Sequence, residues 1–72
     1  MDIVECHSSS HYPERPLAMT WEGLRLEISA LLSQWRTPGI RWFRVRVSDG
    51  RTFDLAYHEA DDRWQIKPTH GG

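Results

Sequence analysis

Residues 43–55 have the sequence FRVRVSDGRTFDL, which is the clearest indication of secondary structure in the chain. Apolar and charged residues alternate on both sides of a Ser-Asp-Gly sequence, which is typical of two antiparallel strands joined by a tight turn. A two-residue turn at 49–50 would place core residues opposite surface residues. A three-residue loop over 48–50, with Gly50 in the left-handed conformation, restores matching faces. The resulting pairs are Val45 with Phe53, Phe43 with Leu55, and Arg44 with Asp54.

The same rule of matching faces predicts one more hairpin on each side of this one. A two-residue turn at 22–23 brings six apolar residues to one face. Its pairs are Trp21–Leu24, Met19–Leu26 and Leu17–Ile28. A four-residue loop at 59–62 joins the last two strands. Its pairs are Tyr57–Trp64 and Leu55–Ile66. A first strand is expected from about Ile3 to Cys6.

The segment between the first two hairpins has a different period. Its apolar residues follow the helical spacing i, i+3, i+4 and i+7, at Ile28, Leu31, Leu32 and Trp35. This spacing predicts a short helix near residues 29–36, capped by Ser29 and ended by Pro38-Gly39. A bulged continuation of the strand is the alternative. The predicted fold is therefore mainly β (α+β at the margin), a curved antiparallel sheet or small open barrel of about five to six strands.

Length limits what the chain can contain. Its 72 residues suit a single domain over 1–72, with an irregular loop at 7–16 and a frayed tail at 68–72. A core this small leaves little room for an enclosed active site. The serines at 8–10 lie beside histidines but lack the strand-turn context of a nucleophile, and no glycine-rich phosphate loop is present. We expect neither enzyme activity nor a cofactor.

Potential metal ligands gather near the N-terminus, where Cys6, His7 and His11 fall within six residues. His58 or His70 could add a fourth ligand, but the spacing matches no standard zinc site, and we expect no metal. The single cysteine excludes an internal disulfide and favours a reducing compartment. Without a signal peptide or a long apolar run, the sequence predicts a cytoplasmic protein that does not enter a membrane.

Charge is unevenly distributed along the chain. The net charge is −1, but residues 36–51 carry five arginines against one aspartate, a local balance of +4. In the strand from 41 to 47 the residues Phe43, Val45 and Val47 point inward. Those that then point outward are Trp42, Arg44 and Arg46, with Arg41 and Arg36 as rim contacts.

An outward tryptophan between arginines is typical of a contact with another protein, because both residue types are enriched at interface hot spots. We therefore predict a small interaction module that binds a protein partner, or a second copy of itself, through this face. Single-stranded nucleic-acid binding is the alternative, since bases stack on tryptophan and arginine contacts phosphates. A purely structural role also stays open, with Arg44 paired to Asp54 and Trp42 packed beneath the helix or the N-terminal strand.

Several short motifs of the chain resemble those of a known protein family. They are Tyr12-Pro13-Glu14-Arg15-Pro16, Thr20-Trp21-Glu22-Gly23, Trp35-Arg36, Phe43-Arg44-Val45-Arg46, Asp49-Gly50-Arg51 and Arg63-Trp64. Over roughly residues 3–66 the chain is similar to a family of short bacterial β-rich domains of unknown function. That family has a Trp-x-Gly turn, an Asp-Gly hairpin and a Tyr-Asp…Trp ending. Here His58 follows Tyr57 where the family has aspartate, so no role of that acid carries over.

Some relatives in that family look associated with lesion-bypass DNA polymerases. The resemblance therefore implies an accessory role in DNA transactions, in line with the nucleic-acid alternative. The shared motifs are mostly turn glycines and core aromatic residues, which indicate a shared fold. No catalytic residue is implied.

Overall fold

Six antiparallel strands form one sheet in the computed structural model, which describes residues 3–7 and 15–69. The strands are β1 (Ile3–His7), β2 (Arg15–Trp21), β3 (Leu24–Thr37), β4 (Ile40–Val47), β5 (Thr52–His58) and β6 (Arg63–Pro68). Each strand pairs with the next along the chain, and the sheet curls into a half-barrel. The predicted mainly β fold with a curved sheet is confirmed. The described ranges contain no helix, and hence none that could span a membrane.

The hairpins follow the predicted registers closely. The loop at 48–50 has Gly50 at φ +93°, and its three predicted pairs are confirmed. The loop at 59–62 and its two pairs are also confirmed. Around the turn at 22–23 the predicted pairs at Trp21 and Met19 are confirmed, but Leu17 does not pair with Ile28. A bulge between β1 and β2 skips Leu17, which is 48% exposed, and Ile28 pairs with Val47 of β4 instead.

The predicted helix at 29–36 is wrong, and the bulged strand is the correct alternative. Strand β3 is extended from Leu24 to Thr37, with register shifts after Ile28 and after Leu31. Each shift inserts one extra residue in β3. Core positions in β3 are therefore three residues apart where those of β4 are two apart, which imitates the spacing of a helix.

Strand β3 belongs to both halves of the curled sheet. Its first residues, up to Glu27, pair with β2, and those from Ile28 onward pair with β4. The concave side holds the core, and Trp21 of β2 reaches across it to Phe53 of β5, with ring centroids 5.4 Å apart. The buried core residues are Met19, Leu26, Phe43, Val45, Val47, Phe53, Leu55, Tyr57 and Ile66.

The chain ends differ in part from their predicted boundaries. The N-terminal strand pairs with β2 of its own chain and includes His7, while β2 begins at Arg15. Of the predicted loop at 7–16, residues 8–14 lie outside the described residues. At the other end Pro68 closes β6, and the N–H of Thr69 donates to the Thr52 carbonyl at 3.1 Å. The rest of the predicted tail, 70–72, is not among the described residues.

Candidate functional site: a tryptophan pair on the outer face

A two-residue turn at Pro38-Gly39 sets the arrangement of the outer face. Proline at its first position and Gly39 at φ +77° at its second are typical of a type II turn. The turn places Thr37 opposite Ile40, and therefore Trp35 opposite Trp42. Alternation in β4 buries Phe43, so Trp42 points to the convex outer side of the sheet.

The two indoles form a parallel, offset pair. Their ring centroids are 5.8 Å apart and their planes differ by 1°. Trp42 is also held by a hydrogen bond that its Nε1–H donates to Thr37 Oγ1 at 2.8 Å. Directly opposite Trp42 on β5 lies Ala56, which is 0% exposed although it faces outward, so the indole covers it. Trp35 is 39% exposed and forms the accessible half of the pair.

Cations lie against both rings. The Arg44 guanidinium carbon is 5.4 Å from the Trp35 centroid, and Lys67 Nζ is 5.7 Å from that of Trp42. Arg44 is fixed by two hydrogen bonds that it donates to the Asp54 carboxylate, at 2.8 and 3.2 Å. The hydrogen bond to Asp54 raises the pKa of Arg44 above its ordinary value.

We call the outward residues Trp35, Trp42, Arg44, Arg46 and Lys67 the tryptophan face. It unites three of the predicted site residues: Trp42, Arg44 and Arg46. Arg46 is exposed and forms no ion pair with any of the described residues. With Asp54 beside Arg44, three cations and one carboxylate leave this region with a charge of +2.

Arg36 and Arg41, predicted as rim contacts, lie on the other side of the sheet. They are paired with each other across β3 and β4 and share the face of Phe43. The Arg41 guanidinium carbon is 5.5 Å from the Phe43 ring, and Arg36 forms an ion pair of 2.8 Å with Glu59. A hollow of about 350 Å³ adjoins this end of the hairpin. Its lining is Gln34, Trp35, Arg36, Arg41, Trp42 and Phe43.

Sequence reasoning missed two members of the tryptophan face. Trp35 was assigned to the helix stripe, because Pro38-Gly39 was interpreted as the end of a helix rather than as a hairpin turn. A hairpin centred there would have paired Trp35 with Trp42 directly. The position of Lys67 could have been predicted. The predicted pair of Leu55 with Ile66 places Lys67 opposite Asp54 on the outer face, as is observed.

The candidate metal ligands do not form a described site. Cys6 is half-buried, and burial raises the pKa of its thiol to about 11. His58 lies on β5, which three strands separate from β1 in the order of the sheet. His11, His70 and the side chain of His7 lie outside what the structure describes. Within the described residues no three His, Cys, Asp or Glu side chains are grouped to hold a metal ion.

Comparison with models of known protein families, with curated proteins and with solved structures found no match for this chain. Function is therefore inferred from the residues of the site itself.

Proposed function

We propose that the chain is a small interaction module that binds a protein partner through the tryptophan face. The observation that carries the proposal is Trp35, which is 39% exposed yet held in a fixed orientation by Trp42 and Arg44. A large aromatic ring that is already ordered loses little side-chain entropy when a partner covers it. Tryptophan and arginine together are also the residue types that dominate interface hot spots.

Charge defines what the partner presents. Arg44 is neutralised by Asp54, but Arg46 has no carboxylate against it among the described residues. A partner surface with an apolar group over Trp35 and a carboxylate within reach of Arg46 would complement this face. Such an ion pair would orient the partner, while burial of the indole would supply most of the affinity.

Single-stranded nucleic acid fits the same face less well. Bases stack on open aromatic rings, whereas Trp35 is already in contact with Trp42 and Arg44, and Trp42 with Lys67. A base would compete with these groups for the ring faces. The net charge of −1 also supplies no general attraction to phosphates.

A capture experiment with matched variants tests the proposal. The tagged chain is used to isolate partners from extracts of its own cells, beside Trp35→Ala and Leu24→Ala. Both variants truncate an exposed apolar residue of β3, but Leu24, 56% exposed, lies beside the turn at 22–23. We expect a protein that the original chain and Leu24→Ala retain and that Trp35→Ala loses.

Equal retention by both variants would contradict the proposal. Saturable binding of a short single-stranded oligonucleotide that requires Trp35 and weakens steeply with salt would also contradict the proposal. The steep salt dependence would indicate phosphate contacts.

A further inference from the structure

Strand β3 has an unpaired edge next to the tryptophan face. Its neighbour β2 pairs with it only as far as Glu27, and no other described strand lies along that edge. From Ser33 to Thr37 the pairing with β4 is regular, without a bulge. The exposed side chains along this edge include Leu32, which is 42% exposed, and Trp35.

The backbone of Gln34 points toward that open edge. In a hairpin with a two-residue turn, the pair beside the turn is hydrogen-bonded, and hydrogen-bonded and non-hydrogen-bonded pairs then alternate. Thr37 and Trp35 are therefore hydrogen-bonded to β4, and Gln34 is in a non-hydrogen-bonded pair with Phe43. Its N–H and C=O are directed away from β4, as the groups of an edge strand that accepts another strand are.

The charges around the edge define which strand would fit. Residues 28–47 contain four arginines and no acid, and the carboxylates of Glu59 and Asp54 pair with Arg36 and Arg44, which leaves a local charge of +2. Two of the arginines, Arg36 and Arg41, share the face of Phe43 and line the hollow of about 350 Å³ at the end of the hairpin. A strand added to β3 would direct alternate side chains to the two faces of the sheet. Carboxylates would lie on the face of Arg36 and Arg41, and apolar side chains on the outer face, next to Trp35.

We infer that the partner of the tryptophan face contributes an extended acidic segment, with alternating acidic and apolar residues, which adds as a strand to β3 along residues 33–37. This inference rests on the proposed function and specifies the binding mode. Strand addition combines main-chain hydrogen bonds, which give affinity, with side-chain positions that give selectivity. A second copy pairing through the same edge would bring the arginine-rich hairpins together, which like-charge repulsion opposes.

The test uses the isotope-labelled chain and a synthetic peptide of alternating valine and glutamate, with blocked ends. We expect saturable amide shifts in residues 32–37, and none with the same peptide carrying lysine in place of glutamate. Gln34→Pro deletes the edge N–H without removing a hydrogen bond to β4, because proline is tolerated on strand edges. It should weaken binding by about tenfold, and Gln34→Ala, which keeps the N–H, should leave it nearly unchanged.

An ester in place of the Gln34 amide, introduced by chemical synthesis, repeats the deletion with every side chain kept, in case the proline variant fails to fold. Equal peptide affinity for the ester and amide forms would overturn strand addition, as would slow exchange of the Gln34 amide in the free chain. Self-association through the edge would contradict it too, seen as a sedimentation coefficient that rises with concentration. If Trp35→Ala loses the captured partner while the ester form keeps it, the proposed function stands and strand addition fails.

Discussion

Trp42→Ala is expected to destabilise the fold more than Trp35→Ala, although both residues face outward. Trp42 covers Ala56, donates a hydrogen bond to Thr37 and contacts Lys67, in addition to its stacking on Trp35. Stacking contributes about 1 kcal/mol and the hydrogen bond about 1 kcal/mol. The cation contact and the covered apolar surface add about 1 kcal/mol more. The expected loss is about 3 kcal/mol.

Trp35→Ala removes the stacking and the Arg44 contact but uncovers no buried residue of β5. Its expected cost is about 1–2 kcal/mol. A domain of this size has a free energy of unfolding of about 3–5 kcal/mol, so Trp42→Ala would leave little of it. Trp35→Ala is therefore the variant suited to binding studies, even though the sequence pointed to Trp42.

Urea unfolding followed by circular dichroism measures both losses, with the double variant completing a cycle. We expect a coupling of about 1 kcal/mol between the two indoles. A cost for Trp42→Ala within about 0.5 kcal/mol of zero, or a coupling near zero, would refute the described pairing, because that is the range of ordinary surface substitutions.

Three further predictions concern the loops. Gly50→Ala should cost about 1 kcal/mol from backbone strain alone, because φ is +93° and no atom lies within 4 Å of the added Cβ; Gly50→Asn should cost less in the same urea assay. Tyr57→Phe should lower the unfolding free energy by about 1 kcal/mol, because it removes the 2.7 Å hydrogen bond that the Tyr57 hydroxyl donates to Asp62; an unchanged midpoint would argue against that bond. The hydrogen bond from the Arg51 backbone N–H lowers the pKa of Asp49 in the folded chain. The ionised carboxylate therefore stabilises the fold at pH values above the pKa that Asp49 has in the unfolded chain. This stabilisation disappears as the pH falls through the lower pKa of the folded chain. Asp49→Ala should accordingly lose less stability on acidification than the original chain, as urea midpoints at a series of pH values would show.

The β4–β5 and β5–β6 hairpins could be predicted because turn chemistry and face matching agree there. Gly50 supplies the left-handed position that a three-residue loop requires, and only that loop matches Val45 with Phe53. In the β5–β6 hairpin, pairing Tyr57 with Trp64 puts two aromatic residues on one face, and their ring centroids are 5.1 Å apart.

Strand β3 could not be predicted in the same way, because its two bulges give Ile28 and Leu31 the spacing of a helix. The bulges arise where the strand bends from one half of the sheet to the other, which is a property of the curled sheet rather than of local sequence. This error concealed the role of Trp35. Arg36 and Arg41, which were expected as rim contacts, lie on the face of Phe43, a position that the register of the same hairpin fixes.

A photo-activated cross-linking amino acid at Ser33, in the chain as its own cells produce it, tests whether the tryptophan face binds a protein. Ser33 is exposed, lies opposite Arg44 and shares the outer side of β3 with Trp35. A cross-linker at Glu22, in the turn at 22–23, is the control. We expect one protein adduct from position 33 that Trp35→Ala abolishes and that position 22 does not give. No adduct, an adduct with nucleic acid, or the same adduct from both positions would contradict the proposal.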